Sequence, residues 1–292
     1  MLVRFAVVGH PIAHSKSPAM HAAAYVELHL PHTFEKIDVD EAHFPKILES
    51  LKHGDFDGIN VTVPHKLRAF ELADDVAPSA KAVHAANVLV RDDAGKITAH
   101  NTDVAALEQE LRVLAEGRGG SPFVGRTGVV IGRGGAARAA IAAIGKLGCR
   151  RVVILARDAD DVAFVREAER ILHESAPNPD ALGTTSILVR SLADGAPAGN
   201  IGVVVQATSC GMSGGPEGSI VANAVPFGDL AADAIAYDVV YVPRETPFLR
   251  AARVATIAAE NGLGMLARQG AIAFELWLGI PAPLAAMRRA IE

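Results

Sequence analysis

Short apolar strands alternate with helical stretches along most of this chain, and that alternation restricts the fold more than any other feature. Strands separated by helices must return in the same direction, so a mostly parallel sheet with helices packed on it is expected. In order, the pattern reads as a strand over Phe5 to Val8 ending at Gly9, then a loop from His10 to Pro18. Ser17 followed by Pro18 reads as an N-cap and first-turn pair for a helix reaching about Leu28. A strand near Thr33 to Val39 follows, then a helix near Glu41 to His53, a strand from Gly58, and a helix near Leu67 to Leu72. Two short strands, Ala86 to Arg91 and Ile97 to His100, form a hairpin over Asp92-Asp93-Ala94-Gly95.

A helix over Val104 to Glu116 carries Val104, Leu107, Leu111 and Leu114 at helical spacing. Gly117-Arg118-Gly119-Gly120-Ser121-Pro122 then breaks the periodicity and reads as a linker. A second series begins there: strand Gly128 to Ile131, helix Gly135 to Leu147, strand Arg151 to Leu155 and helix Asp160 to Glu174. Further strands are expected near Ser186 to Val189, Gly202 to Val205, Ile235 to Val239 and Val254 to Ala258. Gly264 to Gly279 reads as a helix with Leu266, Ile272 and Leu276 toward a core.

The 292 residues suffice for one large domain or two ordinary ones, and 50% hydrophobic with 21% charged residues fits a globular core. A net charge of −5 gives no basic field for nucleic acid. No apolar run of about 20 residues suggests a membrane span. The first residues lack the features of a signal peptide, and Cys149 and Cys210 form no disulfide framework, so a cytoplasmic protein is expected. The eleven histidines show no metal-ligand spacing beyond His10 and His14, and no metal is expected.

Three stretches carry candidate chemistry. In Gly58-Ile59-Asn60-Val61-Thr62-Val63-Pro64-His65-Lys66, Ile59, Val61 and Val63 alternate with polar residues, as in a strand that Pro64 ends. It is either an ordinary edge strand with Asn60, Thr62 and Lys66 in water, or a rigid strand delivering His65 and Lys66 to a ligand. Asp103, in Asn101-Thr102-Asp103, is either a helix N-cap or the carboxylate partner of Lys66. An ammonium and a carboxylate together in a cleft can hold and move a proton as an alcohol is oxidised or a carbonyl reduced. Ser15, Ser17, Asn60, Thr62 and Asn87 offer small hydrogen-bonding groups suited to a polyhydroxylated ligand. Gly132-Arg133-Gly134-Gly135-Ala136-Ala137 stands between a strand and a helix and fits G-x-G-x-x-G/A. There a tight turn and a helix N-terminus receive a pyrophosphate; a ligand-free strand–helix turn is the other reading. At the end of the following strand, Arg157 suits the extra phosphate of NADP and Asp158 the free ribose of NAD, a mixed signal.

These motifs, in this order over nearly the whole chain, resemble the shikimate/quinate dehydrogenases. The match takes in Ser15-Lys16-Ser17-Pro18, Asn60 to Lys66, Asn101-Thr102-Asp103 and Gly132 to Ala137. It continues through Ala207-Thr208-Ser209, Asp238-Val239-Val240-Tyr241 with Pro243, Thr246 and Pro247, and Gly262 to Leu266 with Gln269-Gly270. The resemblance implies a two-domain α/β protein: an N-terminal substrate-binding domain (1–103, rejoined by helices in 264–292), a linker helix and hinge (104–122), and a Rossmann-like dinucleotide domain (123–263). It implies Lys66 and Asp103 as the catalytic pair. Ser15, Ser17, Asn60, Thr62, Asn87, Gln269 and Tyr241 would bind a hydroxylated cyclohexene or cyclohexane carboxylate, the two serines holding its carboxylate. Gly132, Arg133, Gly134, Gly135, Ala136 and Ala137, with Arg157, Asp158, Thr208, Ser209 and Gly262, would hold NADP or NAD. A monomer or homodimer acting on shikimate in aromatic amino acid biosynthesis would follow. Several positions depart from the family pattern: Arg133 stands for Ala, Ala156-Arg157-Asp158 for Asn-Arg-Thr, Gln206 for Asn, Val104 for Gly and Val88 for Thr. They keep open an NAD-preferring quinate dehydrogenase of catabolism and a catalytically poor regulatory binder.

Overall fold

The structure is a computed structural model that describes residues 2–117, 121–177, 184–197 and 199–292. Its backbone contacts divide into two compact units, Met1–Ala106 with Leu263–Glu292, and Leu107–Gly262. The first division falls inside one helix. Half of the candidate linker, residues 118–120, lies outside the described residues.

The first unit is built on a six-stranded sheet. Its strands are β1 (Arg4–Gly9), β2 (Thr33–Asp38), β3 (Gly58–Val61), β4 (Asp75–Val76), β5 (Val88–Arg91) and β6 (Ile97–His100), in the order β2-β1-β3-β5-β6-β4. β1 runs parallel to both β2 and β3, while β5 is antiparallel to β3 and β6. Alternation sorts side chains onto two covered faces. Ala6, Val8, Ile59 and Val61 pack with Phe44, Leu48 and Leu51 of α2 (Phe44–His53). Phe5 packs oppositely, with Met20, Ala24 and Tyr25 of α1 (Ser17–Glu27), and with Ala267, Ala271 and Phe274 from near the C-terminus. The unit also contains α3 (Lys66–Leu72), a short α4 (Pro78–Lys81) and the start of α5 (Asp103–Ala115).

The second unit carries six parallel strands. They are β7 (Thr127–Ile131), β8 (Arg151–Ala156), β9 (Ser186–Ser191), β10 (Ile201–Gln206), β11 (Ile235–Asp238) and β12 (Ala258–Asn261), in the order β12-β11-β10-β7-β8-β9. Helices α6 (Gly135–Lys146) and α7 (Val162–Ser175) follow β7 and β8. Val129, Ile131 and Val204 face Val221 of α8 (Ser219–Asn223) and Phe248, Leu249 and Ala252 of α9 (Pro247–Val254). The chain closes with α10 (Leu263–Leu278) and α11 (Leu284–Arg289), back in the first unit.

Several expectations need correction. β3 is an interior strand with all four residues buried, and it ends at Val61, before Pro64, because Thr62 to His65 already turn into α3. Ser17 is the first residue of α1, not its cap, and no side chain caps that helix. Val254 ends α9, and the last strand starts at Ala258; the strong β-branched signal at 254 belongs to a helix end. Leu276 is 38% exposed and Ile272 only partly buried; Met265, Ala267, Ala271 and Phe274 form the core face of α10. Gly264, Ala267, Gly270, Ala271 and Ala273 intersperse that face with small residues, and the helix approaches closely. A Cβ on Gly270 would stand 2.1 Å from Met20 Cε, and one on Gly58 would stand 2.2 Å from Trp277 Nε1. Trp277 instead donates its indole N–H to the Leu89 carbonyl at 3.1 Å.

Candidate active site

Lys66 and Asp103 meet. Lys66 opens α3 directly after the turn that follows β3, and Asp103 opens α5 directly after β6. Lys66 Nζ donates to Asp103 Oδ2 at 2.6 Å, with the side chains 12% and 4% exposed. Asp103 is therefore not the cap of α5. The side chain of Asn101 does that work, accepting from the amides of Asp103 at 3.1 Å and Val104 at 3.3 Å. Asn101-Thr102-Asp103 thus divides capping and ion pairing between two residues, which leaves the aspartate to the lysine.

Asn87 ties the pair to its surroundings. Its Nδ2 lies 2.8 Å from Thr102 Oγ1, 3.0 Å from Asp103 Oδ1 and 3.3 Å from Gln269 Oε1. Its Oδ1 accepts from the Thr102 amide at 2.8 Å. Thr102 Oγ1 in turn donates to the Gln269 carbonyl at 3.1 Å, so α10 is stitched to the β6–α5 junction. Asn60 donates its amide to the Asn87 carbonyl at 3.3 Å, and its buried Oδ1 has no well-aligned hydrogen-bond partner among the described residues, with His21 within reach of the side chain. Beside it sits His21, fully buried and stacked on Phe34 at 4.2 Å; burial pushes its imidazole down to about 3, so it is neutral. Ser15 Oγ accepts from the Ser17 amide at 3.3 Å at the start of α1. Lys16, between them, turns away and donates to the Ile291 carbonyl.

His65 does not join this group. It is buried, stacked on Phe44 at 4.5 Å, and bonded to the Val39 carbonyl at 2.7 Å. The first unit therefore assembles Lys66, Asp103, Asn87, Asn60 and Gln269 around one connected set of hydrogen bonds. Thr102 and Asn101 belong to it, and His21 lies beside it, without any of them having been named as a site residue. The cap spacing of Asn101 was a usable signal; nothing in the pattern marked His21.

In the second unit, Gly132 follows β7 at φ +118°, where a Cβ would stand 2.9 Å from Thr208 Cγ2 and 3.1 Å from the Ala207 carbonyl oxygen. Gly134 precedes α6, and nothing lies within 4 Å of the space its side chain would fill. An open cradle of this kind, at a helix start whose first amides have no helical partner, fits a pyrophosphate. Arg133 bridges Asp158 at 3.3 Å and Asp161 at 3.0 Å on the surface. Arg157 is exposed and makes no hydrogen bond or ion pair among the described residues. Thr208 and Ser209 follow β10, and Tyr241, in this unit, is half-buried. Gly262 approaches the Val239 carbonyl so closely that a Cβ would stand 2.2 Å from that oxygen. Among the described residues no group of His, Cys, Asp and Glu is arranged to hold a metal, and no helix is long and apolar enough to cross a membrane.

Family models described as the shikimate dehydrogenase substrate binding domain and the shikimate 5'-dehydrogenase C-terminal domain match residues 7–89 and 262–292. A shikimate dehydrogenase (NADP(+)) of Methylobacterium radiotolerans is 40% identical over 277 residues, covering 94% of this chain and 90% of the relative. The chain belongs to the shikimate dehydrogenase family. It is accordingly an NAD(P)-dependent oxidoreductase of CH–OH groups. Among solved structures, the shikimate 5-dehydrogenase of Thermus thermophilus in complex with NADP(H) and shikimate is similar at TM-score 0.78 and 31% identity, covering 99% of this chain and 98% of that one. A ligand-free 5-ketofructose reductase of a Gluconobacter strain is also similar, at TM-score 0.79 and 26% identity, covering 100% and 98%. The family architecture thus extends to proteins named for another substrate.

Proposed function

We propose that this chain interconverts shikimate and 3-dehydroshikimate, with NADP as the hydride carrier. The observation that carries the reading is the 2.6 Å contact between Lys66 and Asp103, with Asn87 on the other carboxylate oxygen. Oxidation of a secondary alcohol releases a hydride from carbon and a proton from oxygen. The nicotinamide, when bound, supplies the hydride chemistry. Lys66 Nζ takes the hydroxyl proton as a neutral amine and returns it as an ammonium in the reverse direction, while Asp103 orients it and balances its charge. Ser15 and Ser17, at the start of α1, receive the ring carboxylate. Asn60, Thr62, Asn87 and Gln269 receive ring hydroxyls, and the buried Asn60 Oδ1, which has no well-aligned partner among the described residues, can accept from such a donor. Tyr241 is assigned to substrate by the resemblance alone. On this reading the first unit is the substrate domain and the second the dinucleotide domain.

The residues of the second unit suit a dinucleotide: Gly132 to Ala137 for the pyrophosphate, Thr208, Ser209 and Gly262 along its course, and Arg157 with Asp158 at the ribose. NADP is favoured because Arg157 is unpaired while Asp158 shares Arg133 with Asp161. The NADP(+) relatives support the same choice. Asp158 is also the one observation favouring a second reading, an NAD-preferring quinate dehydrogenase. A regulatory binder, the remaining alternative, has no need of a buried lysine–aspartate pair. Turnover of shikimate and quinate, each with NADP and NAD, separates these readings. The proposal expects the highest efficiency with shikimate and NADP. Absence of turnover in all four combinations, with cofactor binding intact, would overturn it in favour of the binder.

A further inference from the structure

Asp238 and Gln206 are buried polar residues in the second unit to which the reaction has given no role. Gln206 ends β10, Asp238 ends β11 and Ile131 ends β7, and the three are paired across adjacent parallel strands. In sheets of this kind ligands bind beyond the carboxyl ends of the strands. Both side chains are fully buried. Gln206 Nε2 donates to Asp238 Oδ1 at 3.2 Å, and lies 3.1 Å from the Cys210 carbonyl and 3.3 Å from that of Thr208. Gln206 Oε1 accepts from the Thr208 amide at 2.5 Å and its hydroxyl at 2.8 Å. Asp238 Oδ1 also accepts from the Val240 amide at 2.9 Å, and Oδ2 from the Thr246 hydroxyl at 2.6 Å.

The chemistry of the two groups fixes a direction. Asp238 Oδ1 already accepts from the Val240 amide, so it presents an acceptor whether or not Oδ2 carries a proton, and the Gln206 amide turns its NH2 to Asp238 and its oxygen to Thr208. Turned the other way, the NH2 would face the Thr208 N–H, donor against donor, and the amide oxygen would face the carboxylate. The Cys210 and Thr208 carbonyls take the same NH2, so Asp238, one strand further on, joins them in holding the amide this way round and with it the turn over Gln206 to Cys210. That turn packs Thr208 Cγ2 against Gly132, the first glycine of the cradle. We propose that Asp238 is a positioning residue for dinucleotide binding, acting through Gln206 to hold Thr208 and Ser209 in place beside Gly132. The proposal rests on the dinucleotide reading of the second unit.

The test measures NADPH and NADH dissociation constants directly, together with cofactor and substrate KM, for the wild type, Asp238→Ala, Asp238→Asn, Gln206→Ala and the double alanine variant. Removing a buried hydrogen-bond partner weakens binding by on the order of tenfold. Asp238→Ala should raise the cofactor Kd and KM by about that factor while the shikimate KM moves less than about twofold. Asp238→Asn keeps an acceptor toward Gln206 and should recover most of the loss. The double variant should bind no worse than the poorer single one, because both act through one chain of contacts. Additive losses, or an Asp238→Ala Kd equal to the wild type, would overturn the proposal. So would equal losses in Asp238→Asn and Asp238→Ala, which would mark the aspartate as structural. A wild type that binds neither dinucleotide would instead overturn the cofactor reading, and the proposal with it.

Discussion

Replacing Asn87 by alanine removes four polar contacts: those to Thr102 Oγ1, Asp103 Oδ1, Gln269 Oε1 and the Thr102 amide. Two amide hydrogens serve three acceptors, so the bond to the charged Asp103 oxygen is worth most. Leaving a buried donor and part of a buried carboxylate unsatisfied costs about 1–3 kcal/mol each, so a loss of roughly 2–6 kcal/mol in unfolding free energy is expected. Asn87→Asp has nearly the same shape and keeps an acceptor for the Thr102 amide. It sets a second carboxylate about 3 Å from Asp103, however, and two carboxylates so close cannot both ionise freely. Urea denaturation and steady-state kinetics across pH should therefore show two behaviours. Asn87→Ala loses stability at every pH. Asn87→Asp is closest to the wild type in acid and loses activity as pH rises and the second charge forms. An Asn87→Ala stability within about 0.5 kcal/mol of the wild type would refute the view that this amide holds the pair together.

Asp158→Ala should move the ratio of NADP to NAD efficiency toward NADP by a few-fold, because it removes a carboxylate from the ribose site and frees Arg133 from one of its two partners; an unmoved ratio would show that Asp158 does not read the ribose. Burial raises the Asp238 carboxyl to about 7 from its ordinary 3.8, so the native state holds a proton that the unfolded chain has released. That contribution is complete below about pH 4 and is lost as pH rises to about 7; its ceiling is about 4 kcal/mol. The stability difference between wild type and Asp238→Asn should fall over this window, and a flat difference would contradict it. Gly270→Ala should cost about 1–3 kcal/mol, since its Cβ would overlap Met20 Cε and push α1 from α10; thermal unfolding reads this directly.

Much of the architecture was legible because most strands carry a short apolar run and the longer helices a period of their own; the two-residue β4 and the short helices α4, α8, α9 and α11 were not read from the pattern. The fingerprint Gly132 to Ala137 spans the turn after β7 and the first turn of α6, as the pattern required. What could not be read was which faces are covered. Asn60 in an alternating strand suggests water on one side, yet α1 and α10 lie over that face, and only Gly58 and Gly270 hint at helices packed so near. Val254 misled because a β-branched run at a helix end looks like a strand start. Lys66 and Asp103 were nameable as a pair through the family motifs. Their support was not, because Asn87, Thr102 and Gln269 come together only through pairing across the sheet and the return of α10. Gln206 and Asp238 likewise lie 32 residues apart in sequence, and only their adjacent parallel strands bring them into contact.

The central claim is that Lys66 moves the proton. Steady-state kinetics of Lys66→Ala with shikimate and NADP, alongside shikimate affinity measured in the absence of turnover, tests it most directly. Proton transfer by a positioned side chain contributes about 10²–10⁴ in rate. A fall of that size in kcat, with shikimate affinity changed by no more than a few-fold, is the expected result. An unchanged kcat would contradict the account, because the buried pair at 2.6 Å would then have no part in the chemistry.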